Sequence, residues 1–174
     1  MQISASVMFR LNSSQKKVRL GIWSAVVFGW SLFFGLRAIL PEPGTVREAV
    51  AWLALAPAVV IFVLVMAVGQ ARFLSEGIDP LQGKDPHFVV VTNRVLSNTT
   101  EQTFIFVLAG MTLIALLPLE KLGAIPALAV LFVVARMAFW IGYLRQALLR
   151  APGMALTIQI NLVLLVWCAI TLAS

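Results

Sequence analysis

Five apolar runs, each close to the length that crosses a bilayer, set the terms for this chain. A spanning helix needs about 20 mostly apolar residues, because the hydrocarbon core is about 30 Å thick. The runs are Leu20 to Leu40, about Ala49 to Ala71 with Pro57 as an expected kink, about Val95 to Leu117, Ala124 to Leu144, and Met154 to Ala173. Inside lipid every backbone N–H and C=O needs a partner within the protein, which makes each run a helix. Charged residues make up 11% of the chain, against about 25% in an ordinary soluble domain, so a soluble fold could not cover its surface. The expected fold class is all-α and integral to the membrane.

Prolines and glycines fall between the runs. Pro41-Glu42-Pro43-Gly44 ends the first, and Pro152-Gly153 separates the last two. Leu117 to Gly123 is a short turn, which makes the third and fourth runs an antiparallel pair. The longest connection runs from Arg72 to about Pro86, with Gly77, Pro80, Gly83 and Pro86 as turn residues. The chain divides into a basic N-terminus with one helix (1–45) and a four-helix transmembrane domain (46–174). Arg10, Lys16, Lys17 and Arg19 precede the first run, as in a signal peptide. That run is long for a signal sequence and no small-x-small cleavage site follows, so it reads as a retained helix.

Positive charge sets orientation. Of the 13 Lys and Arg residues, nine fall on the N-terminal side of the membrane, three on the other side, and Arg136 within a span. The N-terminus, the Arg72–Pro86 loop and the Arg145–Arg150 turn are expected in the cytoplasm, and the C-terminus outside. The net charge of +6 collects at the ends of apolar runs, with no basic stripe interleaved with aromatics, so no nucleic-acid partner is expected. One histidine, His87, and one distant cysteine, Cys168, cannot build a metal cluster, and no metal is expected. Cys168 reads as a small packing residue.

The polar residues inside the runs carry the chemistry. The clean apolar part of the third run, Phe104 to Leu117, reaches only about 21 Å at the rise of a helix. Crossing the membrane therefore pulls Asn98, Thr99, Thr100, Glu101 and Gln102 against the protein interior. Arg94, Asn98 and Glu101 lie within about 60° of one another on a helix, so one face offers a cation, an amide and a carboxylate. Arg136 sits eight residues before Leu144, about 12 Å deep, beyond the reach of a snorkelling side chain. An arginine at a helix centre costs about 2.5–3.5 kcal/mol even on lenient scales, which points to an Arg136–Glu101 interaction. Arg136, Phe139, Tyr143 and Arg150 also share a face within about 60°, with Arg145 off it. The two stripes together suit an anionic, polar ligand next to lipid.

The spacing Arg94-x-x-x-Asn98-x-x-Glu101, then Arg136-x-x-Phe139-x-x-x-Tyr143 and Arg150, resembles the family of membrane-associated proteins in eicosanoid and glutathione metabolism (MAPEG). Asn93 to Gln102 is similar to the family's second-helix signature and Ala135 to Tyr143 to its third-helix signature. The resemblance covers roughly Ala49 to Ser174. It implies a four-helix bundle, here with one additional N-terminal transmembrane helix, that assembles as a homotrimer. Glutathione would be the co-substrate, bound between subunits toward the cytoplasm. Arg94, Asn98, Glu101, Arg136 and Tyr143 would hold it, with Arg72 as a further contact, and Arg150 would be catalytic, stabilising the thiolate. This assignment suits the ligand's chemistry: guanidinium forks match carboxylates, and Glu101 matches the ammonium group. Members that act on glutathione often carry tyrosine where this chain has Phe139, so one hydroxyl contact is missing. The extra helix fits a bacterial member in the inner membrane, packing outside the trimer over part of the route from lipid.

The function implied is a membrane-bound glutathione transferase or peroxidase acting on lipophilic electrophiles or lipid hydroperoxides. Phe139 speaks for an alternative, a non-catalytic lipid-binding scaffold of the same fold. A transporter or channel component is the other alternative, disfavoured by small size and the absence of inverted repeats or paired broken helices.

Overall fold

The computed structural model describes residues 12–174. Five long helices account for the apolar runs: α1 (Ser13–Ile39), α2 (Val46–Phe73), α3 (His87–Leu116), α4 (Ile125–Arg145) and α5 (Ala151–Ala173). All five are long and apolar enough to cross a membrane. The protein is an all-α, multi-pass integral membrane protein.

The helix ends follow local chemistry rather than hydropathy. Thr45 caps α2, its hydroxyl accepting from the Glu48 N–H at 3.2 Å. Pro86, whose ring cannot continue a preceding helix, precedes α3. That helix therefore begins eight residues before Val95, the start expected from apolarity. It has 30 residues, about 45 Å of rise, so Asn98 to Gln102 lie near its middle. A short 3-10 segment, Leu119–Ala124, reverses the chain between α3 and α4. The expected α4 face running straight to Arg150 is corrected here. Gln146 is extended (φ −162°, ψ 140°), α4 stops at Arg145, and a 3-10 turn, Ala147–Arg150, leads into α5.

α2 packs along α3, α4 along α5, and α1 lies against α5 and α4. Leu53, Phe106, Leu113, Phe132, Ile160 and Leu164 form the centre of the core. The Phe106 and Phe132 rings stack with centroids 4.6 Å apart. Lipid tails are as apolar as leucine, so membrane helices associate through close packing and hydrogen bonds instead. Gly110 accordingly receives Leu53, and Gly153 leaves α5 in backbone contact with Phe139 and Ala135 of α4. α1 is joined in the same way. A Cβ on Gly21 would meet the Pro152 ring at 3.2 Å, and the Trp30 indole donates to Gln159 Oε1 at 3.1 Å. At the opposite end of α1, Arg37 pairs with Glu42 over Gly123.

The connection after α2 carries two 3-10 turns, Glu76–Ile78 and Pro80–Gln82, and Gly83 takes a left-handed φ of 66°. Arg72 closes it with two parallel bonds to Asp85, at 3.0 and 2.8 Å. The bonded guanidinium holds the Asp85 carboxyl below the usual carboxylate range.

Candidate functional site

Arg136 is completely buried in α4. Its Nε and Nη2 donate to Thr99 Oγ1 at 3.1 and 2.9 Å, Nη2 also donates to Asn98 Oδ1 at 3.0 Å, and Nη1 donates to Thr157 Oγ1 at 3.4 Å. The two threonine hydroxyls spend their own protons on the Val95 and Gly153 carbonyls. Their lone pairs are thereby left for the guanidinium. The Phe139 ring covers it from the other side, 4.3 Å from Cζ to centroid.

No carboxylate takes part. The expected Arg136–Glu101 interaction is not formed: among the described residues Arg136 has no ion pair, and Glu101 is exposed. The reason is angular. Thr99 faces Arg136, and Glu101 lies two residues on, about 200° around the helix. Neutral hydroxyl and amide oxygens satisfy the charge instead.

Directly above this network is a cavity of about 260 Å³ lined by Arg94, Asn98, Phe139, Tyr143, Arg150 and Met154. Each wall has an evident cause. Arg94 and Asn98 are one helical turn apart on α3. Phe139 and Tyr143 are one turn apart on α4, with ring centroids 6.0 Å apart. The Trp140 indole donates to Thr92 Oγ1 at 3.1 Å and ties the two helices together at this level. Arg150 arrives from the 3-10 turn, which folds back so tightly that any side chain at Gly142 would run into the Leu149 carbonyl and the Arg150 amide. Its guanidinium then lies over the Tyr143 ring, 4.6 Å from the centroid. The Tyr143 hydroxyl is beside both Arg94 and Arg150.

The sign of the cavity follows from the network beneath it. Asn98 has committed its carbonyl oxygen to Arg136 and presents its NH₂ group. Two guanidiniums, an amide N–H₂ and a phenol therefore converge on one space, nearly all donors, with Phe139 and Met154 as apolar walls. Such a space suits carboxylates or a thiolate and rejects cations.

Of the eight residues singled out from sequence, Arg94, Asn98, Phe139, Tyr143 and Arg150 meet at this cavity, and Arg136 orients two of them from behind. Glu101 points away, and Arg72 is engaged with Asp85. Thr99 is buried, as its place in the third run implies, but its role as acceptor for Arg136 is not read from sequence, and neither are Thr157, Gly142 and Met154. A buried guanidinium must find acceptors, and that requirement was the available signal for the two threonines. Among the described residues, no group of His, Cys, Asp or Glu side chains could hold a metal.

No curated protein and no solved structure matches the chain. A model of the MAPEG family matches residues 50–170, leaving α1 outside the match. With most of its length covered by that match, the chain belongs to the MAPEG family.

Proposed function

We propose that the protein is a membrane-bound glutathione transferase or peroxidase for lipophilic electrophiles or lipid hydroperoxides. Family membership supports glutathione-related chemistry. The observation that carries the finer reading is the donor-lined cavity with Arg150 at its edge. Arg94, Asn98 and Tyr143 bind the tripeptide's carboxylates and carbonyls. The Arg150 guanidinium lowers the energy of the thiolate. Toward an organic halide, the thiolate sulfur forms a bond to carbon while the carbon–halogen bond breaks and halide leaves. Toward a hydroperoxide, sulfur attacks the terminal oxygen and the O–O bond breaks. The alkoxide takes a proton, and a second glutathione converts the sulfenic acid to disulfide and water.

The test is conjugation of glutathione to an activated aryl halide by purified protein in detergent. Thioether and halide should appear in equal amounts. Phe139 favours a second reading, the lipid-binding scaffold, because no hydroxyl stands at that wall of the cavity. Neither turnover nor measurable glutathione binding would select it.

Two features of the assembly belong to this proposal. Glu101 is exposed and lies outside the cavity of its own chain, as a site shared across a homotrimer would require. Light scattering from detergent-solubilised protein should give the mass of three chains, and a monomer that conjugates glutathione would refute the sharing. The nine-to-three division of positive charge supports a cavity at the cytoplasmic face. Cysteines placed between Ser75 and Gly83 should resist membrane-impermeant thiol reagents in intact cells. Labelling there, with none at residues 41–44, would reverse the orientation.

A further inference from the structure

A second cavity, of about 330 Å³, adjoins the first. Val18 and Ile22 of α1 form one wall, Leu148 of the 3-10 turn the floor, and Ala155 and Ile158 of α5 the other wall. Arg150 and Met154 line both cavities. Around one arginine, then, a donor-lined compartment meets an apolar one. Ile22 and Ile158, on membrane-spanning helices, are 41% and 47% exposed, so the apolar compartment opens on the outer face of this chain's bundle.

The wall that α1 contributes is fixed. Gly21 allows contact with Pro152, Gly29 allows contact with Leu156, and Trp30 is hydrogen-bonded to Gln159. Small residues at such spacing let membrane helices approach closely. α1 also lies outside the residues matched by the family, so this compartment is built with a part of the chain that the family domain does not supply.

We propose that the α1–α5 crevice binds the hydrocarbon tail of the electrophile and selects for chain length. The inference rests on the glutathione reading for its chemistry and on the crevice for its location. The substrate class is an acyl-derived electrophile such as a conjugated enal, its tail between Val18, Ile22, Ala155 and Ile158 and its reactive carbon near Arg150. The thiolate sulfur adds to the β-carbon, the π electrons move onto the enal, and the α-carbon takes a proton from water. Nothing leaves, and no further reactant is needed.

The test compares 2-hexenal with 2-dodecenal in glutathione conjugation by the purified protein. Ile22→Trp fills the crevice from α1 without touching the donor-lined cavity. It should raise KM for 2-dodecenal by about tenfold, equivalent to losing the burial of roughly two methylenes. KM for 2-hexenal and for an activated aryl halide should stay unchanged. An equal change for short and long enals, or none for either, overturns the tail site. A second measurement does not depend on turnover. A twelve-carbon aldehyde carrying a terminal diazirine should crosslink within residues 18–22 and 154–158 on illumination, in competition with 2-dodecenal. Adducts confined to other helices overturn the proposal. Adducts in those segments from a protein that conjugates no electrophile leave the tail site standing and overturn the glutathione reading alone.

Discussion

Arg150→Ala should lower glutathione conjugation at neutral pH by about 10- to 100-fold, equivalent to one or two units of thiol pKa. A free thiol has a pKa of about 8.5, so only a few per cent is ionised near pH 7. A guanidinium beside the sulfur depresses that pKa. The sign follows directly: activity is present above the depressed pKa and lost as pH falls through it. Removing the charge moves the limb of the pH–rate profile upward, toward about 8.5. The deficit should therefore be largest near pH 6.5 and close above about pH 9. Arg150 is exposed and its guanidinium touches Tyr143 through the ring face, so folding should be unaffected. Glutathione should still bind through Arg94, Asn98 and Tyr143. The ultraviolet absorbance of bound thiolate at neutral pH should fall with the rate. Parallel pH profiles for the two proteins would leave Arg150 as a headgroup anchor.

The largest effect on stability is expected at a hydroxyl rather than at a charge. Thr99 Oγ1 accepts two of the four hydrogen bonds of Arg136. Thr99→Val keeps the shape and removes the acceptor, leaving a fully buried guanidinium with only Asn98 and Thr157. Each hydrogen bond to a charged group is worth about 1.5–3 kcal/mol, and two are lost here. The thermal midpoint in detergent should drop accordingly. Thr99→Ser keeps the oxygen and should lose far less. Arg136→Met removes the charge together with its need for partners. Such replacements are often neutral or stabilising, so this variant should melt near the parent temperature. Its cost appears in the site, because Asn98 loses the bond that orients its amide, and glutathione affinity should fall. Equal melting of the Val and Ser variants would show that the hydroxyl does not support Arg136.

The membrane class was legible because it depends on run length, which lipid thickness dictates. Helix ends were less so. Thr92, Asn93 and Arg94 lower the hydropathy at the start of α3, yet the backbone is already helical from His87, behind Pro86. Site residues were legible where they share a helix, since 100° per residue groups Arg94 with Asn98 and Phe139 with Tyr143. The same arithmetic does not say which meridian faces the neighbouring helix, and Glu101 was misplaced for that reason. Arg150 reached its expected neighbour by an unexpected route. A straight helix was projected, and a fold-back over Gly142 delivers it. The inward placement of Thr99 was legible from the shortness of the third run, but its partnership with Arg136, like that of Thr157, was not, because a threonine in a helix is unremarkable until a guanidinium is known to lie beside it.

The four hydrogen bonds of Arg136 also bear on how the chain is made. Three come from α3 and one from α5, and α3 is joined to α4 by only a short segment. Chains emerge N-terminus first. When Arg145 leaves the ribosome, the partners that satisfy most of the charge have already been synthesised, while Thr157 has not. We infer that α3 and α4 enter the bilayer as a hairpin with the guanidinium already covered. A chain truncated after Arg145 should integrate, and should integrate poorly when Thr99→Val is added. α5 then arrives at a charge that needs only the single bond from Thr157.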